Sequence, residues 1–517
     1  MALRPSRQPY RPTRRTLLGG LAAIPAFAAG VTATDSTSRR TDRQPADSTA
    51  LDPAATLELD GATEVVVDES GETVFVATQD GFAILDVGDP SNPQMLAEER
   101  DLTVDGEGPM EAIYDVKYDD DRLLVAGPNG GNSDLVGFFV YDVSDRANPE
   151  RIAFQRTSHA IHNCFLRDGV AYLTAGPSPG APTMFWDVSG DDPGKVGSWK
   201  ASDADEAWAD AGENFRQTHD IYVQDDVLYV AYWDAGTWLV DVSDPANPNA
   251  ITRFGGHDPR YLEGAGRSGR GFSPEFIELP GNSHYVQPTA DGNAVFVGKE
   301  AWDDEETEVD GGPGGIELWS RDGSDGTRES IIQTPLGPDS DATSHNLGIR
   351  GDRLYASWYA GGVAVYDVSD LAEPTLLGAW SEPETTSFWA AKPIHEGFVA
   401  TSFYDPSLSR EENQSGKQAT VYLFPEPSSE GEPAPTMEPR PKPQVETTTT
   451  NAATTPEDPP ETSQTGTSPD EGPTETDTAT KEPAEAADET PGFGLFAGIA
   501  SVGGAVAAAR RLAKRDE

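Results

Sequence analysis

Seven histidines occur in this 517-residue chain, and all of them fall between His159 and His395. Four, His162, His219, His284 and His345, hold the same place in a repeated sequence unit. Each opens a strand-like run and precedes the core of the next run by roughly ten residues. Equivalent places in a repeat become neighbours when the repeats pack in a ring. Converging imidazoles suit a divalent transition metal such as zinc, copper, iron or nickel, with Asn163, Asp220 and Asn346 beside them to orient the rings. A second reading makes each imidazole a repeat residue that hydrogen-bonds a loop of its own unit. A residue of that kind recurs in every copy, yet Tyr114 takes the position in one copy, Thr63 in another, and Phe388 or Trp389 in a third. Trp233, Trp302, Trp358 and Tyr359 close the run that follows and are expected near the same mouth. Arg260, Arg267 and Arg270 lie in a glycine-rich stretch between units. They either clamp an anionic ligand by bidentate contacts or pair with local carboxylates. No nucleophile elbow, phosphate-binding loop, dinucleotide fingerprint or HExxH motif occurs, so no catalytic residue is assigned.

The elements that must position these residues are short strands. Thr218–Phe254 contains four runs rich in β-branched and aromatic residues. They are separated by Asp225-Asp226, by Asp234-Ala235-Gly236 and by Asp244-Pro245-Ala246-Asn247-Pro248. Proline fixes φ and lacks a donor, so no strand continues through the last of these. The unit recurs from Thr63, Tyr114, His162, His284 and His345, and more weakly over 387–424. A lone four-stranded sheet cannot bury both faces, so the copies must pack on one another and close. The predicted fold is all-β, a seven-bladed β-propeller of four-stranded antiparallel blades over residues 56–425. The strand Thr56–Asp60 is expected to complete the last blade and lock the ring. Two enlarged connections, Lys200–Arg216 with Trp208 and Gly255–Asn282, join a fourth strand to the next first strand. They are therefore predicted to rise from the histidine face.

The unit resembles the LVIVD repeat family. The matching residues are LVDVSDPANP (239–248), FVYDVSDRANP (139–149), AVYDVSDLAEP (364–374) and ILDVGDPSNP (84–93). The resemblance runs from about Leu57 to Pro425. It implies blades and says nothing about chemistry.

Charge and the two ends bound the setting. With 37 Lys+Arg against 88 Asp+Glu, the net charge is −51, which excludes nucleic acid as a partner. Acid spread over the turns resembles proteins of halophilic archaea, where screening removes the mutual repulsion. Cys164 is the one cysteine, so no internal disulfide forms, and its strand-like surroundings make it a small buried residue. Residues 1–34 carry Arg14-Arg15 ahead of a short apolar run and resemble a twin-arginine signal peptide. Residues 35–55 read as a polar, disordered linker. After Pro425 the composition turns to Pro, Thr, Glu and Ser, so 426–490 reads as a disordered stalk. Asn413 is an N-glycosylation acceptor in an expected loop. Residues 491–517 combine Pro-Gly-Phe, a short apolar run and a basic end, and resemble the PGF-type sorting signal of archaea. That resemblance implies an archaeosortase-type processing enzyme and a membrane anchor at the C-terminus; a retained single-pass helix is the other reading. The preferred function is a cell-surface binding module that takes an extracellular ligand or envelope protein at the channel mouth. Its ligand residues are Tyr114, Trp233, Trp358, Tyr359, Arg260, Arg267 and Arg270. The alternative is a metal-dependent surface oxidoreductase or hydrolase whose histidine ring (His162, His219, His284, His345) holds a divalent ion.

Overall fold

A computed structural model describes residues 49–130, 133–175, 181–212, 215–262, 279–301, 314–322, 325–335, 342–383, 385–403 and 419–427. The expectations for 1–48, for 428–517, and for Arg267, Arg270, Trp302 and Asn413 fall outside the described residues. Seven sheets surround one axis; first strands contact one another from blade 1 to blade 5 and from blade 6 through blade 7 back to blade 1, and between blades 5 and 6 the second strand of blade 5 meets the first strand of blade 6. Blade 4 shows the pattern: Asp220–Gln224, Val227–Ala231, Thr237–Asp241 and Asn249–Phe254 pair antiparallel in chain order from the axis outward. Blades 1, 2, 3 and 5 open with Val65–Val67, Asp115–Asp119, Cys164–Arg167 and Ser283–Pro288. In blade 6 the first strand is split into Thr343–Ser344 and Gly348–Arg350, with His345, Asn346 and Leu347 in the break.

Blade 7 takes three strands, Phe388–Ile394, Gly397–Ser402 and Thr420–Phe424, from the end of the propeller and its fourth, Ala55–Glu58, from the beginning. The ring is thus closed by an N-terminal strand, as the sequence predicts. One detail departs from it. The last part of the expected linker is ordered, because Thr49–Ala50 adds in parallel to the outer edge of blade 6. Leu51 supplies the reason: it is an apolar residue in a polar run, and it is buried with Tyr355, Phe388, Phe398 and Phe424.

The repeated DVSD sequence has a local cause. Asp241 ends the third strand of blade 4 and accepts the backbone N–H of Ser243 at 2.9 Å and its hydroxyl at 2.7 Å. Asp142, Asp187 and Asp367 do the same for Ser144, Ser189 and Ser369. Such side-chain turns replace the ladder where the chain must reverse. Between the third and fourth strands the register slips once in six blades, at Ile84/Leu85 and Leu239/Val240 for example. A bulge increases twist, and a twisted blade fits its neighbour in a ring. Apolar side chains fill the seams between blades, and the first insert joins them. Trp208, Ala211 and Phe215 pack with Trp199, Tyr232 and Trp238 of blades 3 and 4.

Candidate histidine site at the channel mouth

Each ring residue sits where a first strand begins. His219 N–H donates to Ala231 O at 2.9 Å, His345 N–H to Ser357 O at 3.0 Å and Thr63 N–H to Ala77 O at 2.9 Å. These three bonds to the second strand fix one level in three blades. At that level the side chains form an arc. His162 and His219 approach Nε2 to Nε2 at 2.8 Å. The His219 and His284 ring centroids are 3.8 Å apart, and those of His284 and His345 are 4.5 Å apart. Trp389 continues the arc 4.5 Å from His345, and Tyr114 stands 5.4 Å from Trp389. Trp233 lies 5.1 Å from His219 and Tyr359 lies 4.3 Å from His345. Thr63 fills the interval in blade 1 by donating its hydroxyl to Tyr114 O.

Backbone carbonyls of neighbouring blades select the tautomers. His219 Nδ1 is 3.1 Å from His284 O, and His345 Nδ1 is 2.5 Å from Trp389 O. A carbonyl only accepts, so both Nδ1 atoms carry the proton and both Nε2 atoms present a lone pair. His162 Nε2–H is then the donor to His219 Nε2. Glu300, at the end of the second strand of blade 5, places Oε2 2.8 Å from His284 Nε2. His219, His284 and Glu300 each offer one ligand atom, and these atoms lie within 4.8 Å of one another.

The electrostatics keep the donors neutral. Burial pushes His162, His284 and His345 down to about 3 and His219 well below its ordinary value; for His162, His219 and His345 the His284 imidazole adds to the effect. Burial raises Glu300 to about 7, against a smaller lowering by His345. The His284–Glu300 contact is therefore a hydrogen bond to a neutral imidazole. Neutral imidazole is the form that binds metal.

One level deeper the axis is filled by charge. Asp115 pairs with Lys117, and its other oxygen accepts Cys164 N–H at 2.7 Å. Lys392 Nζ lies 3.4 Å from Glu64 Oε1 and donates to Tyr285 OH at 2.7 Å and Leu347 O at 2.9 Å. Asn346 donates its amide to Glu64. Burial alone would raise Glu64, but Lys392, Lys117 and Asn346 outweigh it and hold the carboxyl low. Burial raises Asp220 well above the carboxylate range. Cys164 is fully buried in an apolar cluster and its thiol is raised well above normal by burial, so it is no nucleophile.

The structure brings together His162, His219, His284, His345, Tyr114, Trp233 and Tyr359. Trp358 does not join them. It faces away from the mouth into the cluster between blades 5 and 6, beside Phe296, Leu347 and Leu354, because successive strand residues alternate sides and Tyr359 takes the inward one. Arg260 pairs with Asp258 at 2.9 Å, both exposed, and Arg253 is enclosed by Trp208 and Trp238, so these two arginines are occupied locally. Glu300 is the residue sequence reasoning missed. It holds the position in blade 5 that Trp233 holds in blade 4 and Tyr359 in blade 6.

Comparison with known proteins adds the repeat. The family model described as LVIVD repeat matches residues 62–98 and 215–255, which cover blade 1 and blade 4. No curated protein sequence matches the chain. Among solved structures, the β-propeller domain of Cps50 (Swd1) from Myceliophteria thermophila is similar at 12% identity and TM-score 0.48, over 72% of this chain and 99% of that one. The computationally designed Ika8 protein is similar at 11% identity and TM-score 0.41, over 70% of this chain and 83% of that one. The strand pairing itself identifies the seven blades, two of which match the LVIVD repeat, and the chain is a repeat β-propeller.

Proposed function

We propose that the chain is an exported, tethered binding module that holds a transition-metal ion at the histidine mouth. His219, His284 and Glu300 are the proposed ligands, and His162 and His345 stand beside them. One observation carries the reading: neighbouring blades' carbonyls leave Nε2 of His219 and His345 unprotonated, an ion would take the place of the His162 Nε2–H that His219 Nε2 accepts, and the buried carboxylate of Glu300 lies within ligand distance of the same centre. Backbone acceptors behind metal-binding imidazoles are the usual orienting arrangement. Two imidazoles and one carboxylate suit zinc or iron(II). Three protein donors leave a coordination position, where an extracellular ligand would bind between the ion and the wall of Tyr114 and Tyr359. The same open position favours the second reading, a metal-dependent surface enzyme with the ion as Lewis acid. Export by a twin-arginine signal and anchoring through the C-terminal segment belong to this proposal.

Elemental analysis of the full chain from its own host tests it, together with cobalt(II) titration followed by visible absorption. About one ion per chain is expected, lost in His219→Ala and Glu300→Ala and retained in Arg260→Ala. Protein that purifies without metal and shows no saturable cobalt spectrum overturns the proposal.

A further inference from the structure

The two lysines beneath the histidine mouth are not alike. Lys392 has an acceptor for each of its donors: Tyr285 OH at 2.7 Å, Leu347 O at 2.9 Å and Glu64 Oε1 at 3.4 Å. Lys117 donates, among the described residues, to Asp115 Oδ1 alone. An ammonium carries three N–H donors, so two of them lack an acceptor. The pair is also out of reach of water, with the Asp115 side chain 1% and the Lys117 side chain 11% exposed. A buried ammonium met in this way is costly. An amide nitrogen in its place would have one N–H and no charge.

The surroundings of Asp115 supply the parts of an acyl transfer. Residues 115 and 117 share one face of the strand Asp115–Asp119, roughly 7 Å apart along it, and the lysine folds back onto its neighbour. Asp115 Oδ2 accepts Cys164 N–H of blade 3 at 2.7 Å, the contact a carbonyl oxygen needs when negative charge develops on it. Glu64 of blade 1 acts on both groups, and Asn346 and Lys392 hold its carboxyl in place. Burial raises Asp115 toward its neutral acid. Burial also opposes the charge on Lys117, but the Asp115 and Glu64 carboxylates outweigh it and keep the amine protonated. Moving that proton from Nζ to Oδ1 along their contact gives an amine beside a carboxylic acid and leaves the net charge unchanged.

We propose that Lys117 and Asp115 condense into an intramolecular isopeptide bond, with Glu64 relaying the proton. Nζ attacks Cγ as a nucleophilic amine, and Cys164 N–H meets the charge that develops on Oδ2. The Cγ–Oδ1 bond breaks, Glu64 carries one amine proton to the departing hydroxyl, and water leaves. Amide and water account for every atom, and nothing is oxidised or reduced. The bond withdraws one acid and one base from the floor of the histidine site and leaves Glu64 with Lys392. It depends on neither the metal nor the tether of the proposed function.

Tryptic mapping of the full chain by mass spectrometry decides it. Trypsin cuts after Arg100, Lys117 and Arg122, so an open pair gives 101–117 and 118–122 as separate peptides. The bond is expected to block the cut at Lys117 and to give one peptide, 101–122, lighter than its sequence by one water, with no backbone fragment separating residues 115 and 117. Glu64→Gln should return both peptides at full mass. A wild-type map at full mass, cut or uncut at Lys117, overturns the bond. Loss of water with the cut at Lys117 retained overturns it too, because that is the signature of a cyclic imide at Asp115. A folded Glu64→Gln chain that still shows the light, uncut peptide overturns the part given to Glu64. If that variant does not fold, Glu64→Asp, which keeps the acid and shortens its reach, is read in its place with the same expectation.

Discussion

Replacing Glu300 by glutamine isolates the buried carboxyl from the rest of the mouth. Glu300 is 3% exposed and faces neutral imidazoles, so burial raises it from 4.5 to about 7. The sign follows from proton counts. Between those values the folded chain holds a proton that the unfolded chain has released, so metal-free stability falls as pH rises through the window. Moving a carboxyl from 4.5 to about 7 corresponds to about 3 kcal/mol. Histidine titration runs the other way: His284 and His345 drop from 6.5 to about 3 on folding, which adds stability as pH rises toward 6.5. That term is common to both proteins and cancels in their difference. Urea denaturation of chelator-treated wild type and Glu300→Gln, from about pH 4 to about pH 8, is the assay. The stability of the variant relative to wild type should rise by about 3 kcal/mol across the range. Saturating zinc should abolish this rise, because the ionised carboxylate then has a cation. A flat difference curve would refute the placement of Glu300 as a buried acid among neutral imidazoles.

Two further outcomes test the frame. Gly362 opens the third strand of blade 6 with φ +88°, and a Cβ there would lie 2.0 Å from Trp380 O. Gly362→Ala should cost at least about 2 kcal/mol by urea midpoint, whereas Gly106→Ala, with φ +86° and open space around it, should cost about 1 kcal/mol. Glu426→Ala leaves Arg350 and Arg353 without their shared carboxylate. It should lower stability by about 2–3 kcal/mol and speed proteolysis at the propeller's end, an effect that limited digestion reads directly.

The fold was legible because its determinants are local and repeated. Asp-x-Ser turns, proline stops and alternating apolar residues recur at one spacing, and each has a local physical cause that survives translation into structure. Even the closing strand at residues 55–58 was legible, since seven blades with four strands each left one place empty in the last. The site was legible only as a level. The repeat placed His162, His219, His284 and His345 on one ring, but it gave no direction to any side chain. Trp358 and Tyr359 are adjacent, and only the pleat decides that the tyrosine meets His345 while the tryptophan enters the seam between blades. Glu300 was hidden for a related reason. Searching for like residues at like places selects the aromatic Trp233 and Tyr359 and passes over a carboxylate at the same position, although a mismatch to the repeat is where function departs from packing. The tautomers were further out of reach, because the carbonyls that set them belong to neighbouring blades: His219 depends on the backbone of His284, and His345 on that of Trp389. A binding site in a propeller is therefore written between repeats. The residue worth testing first is the one that breaks the pattern at the level where the others keep it, which here is Glu300.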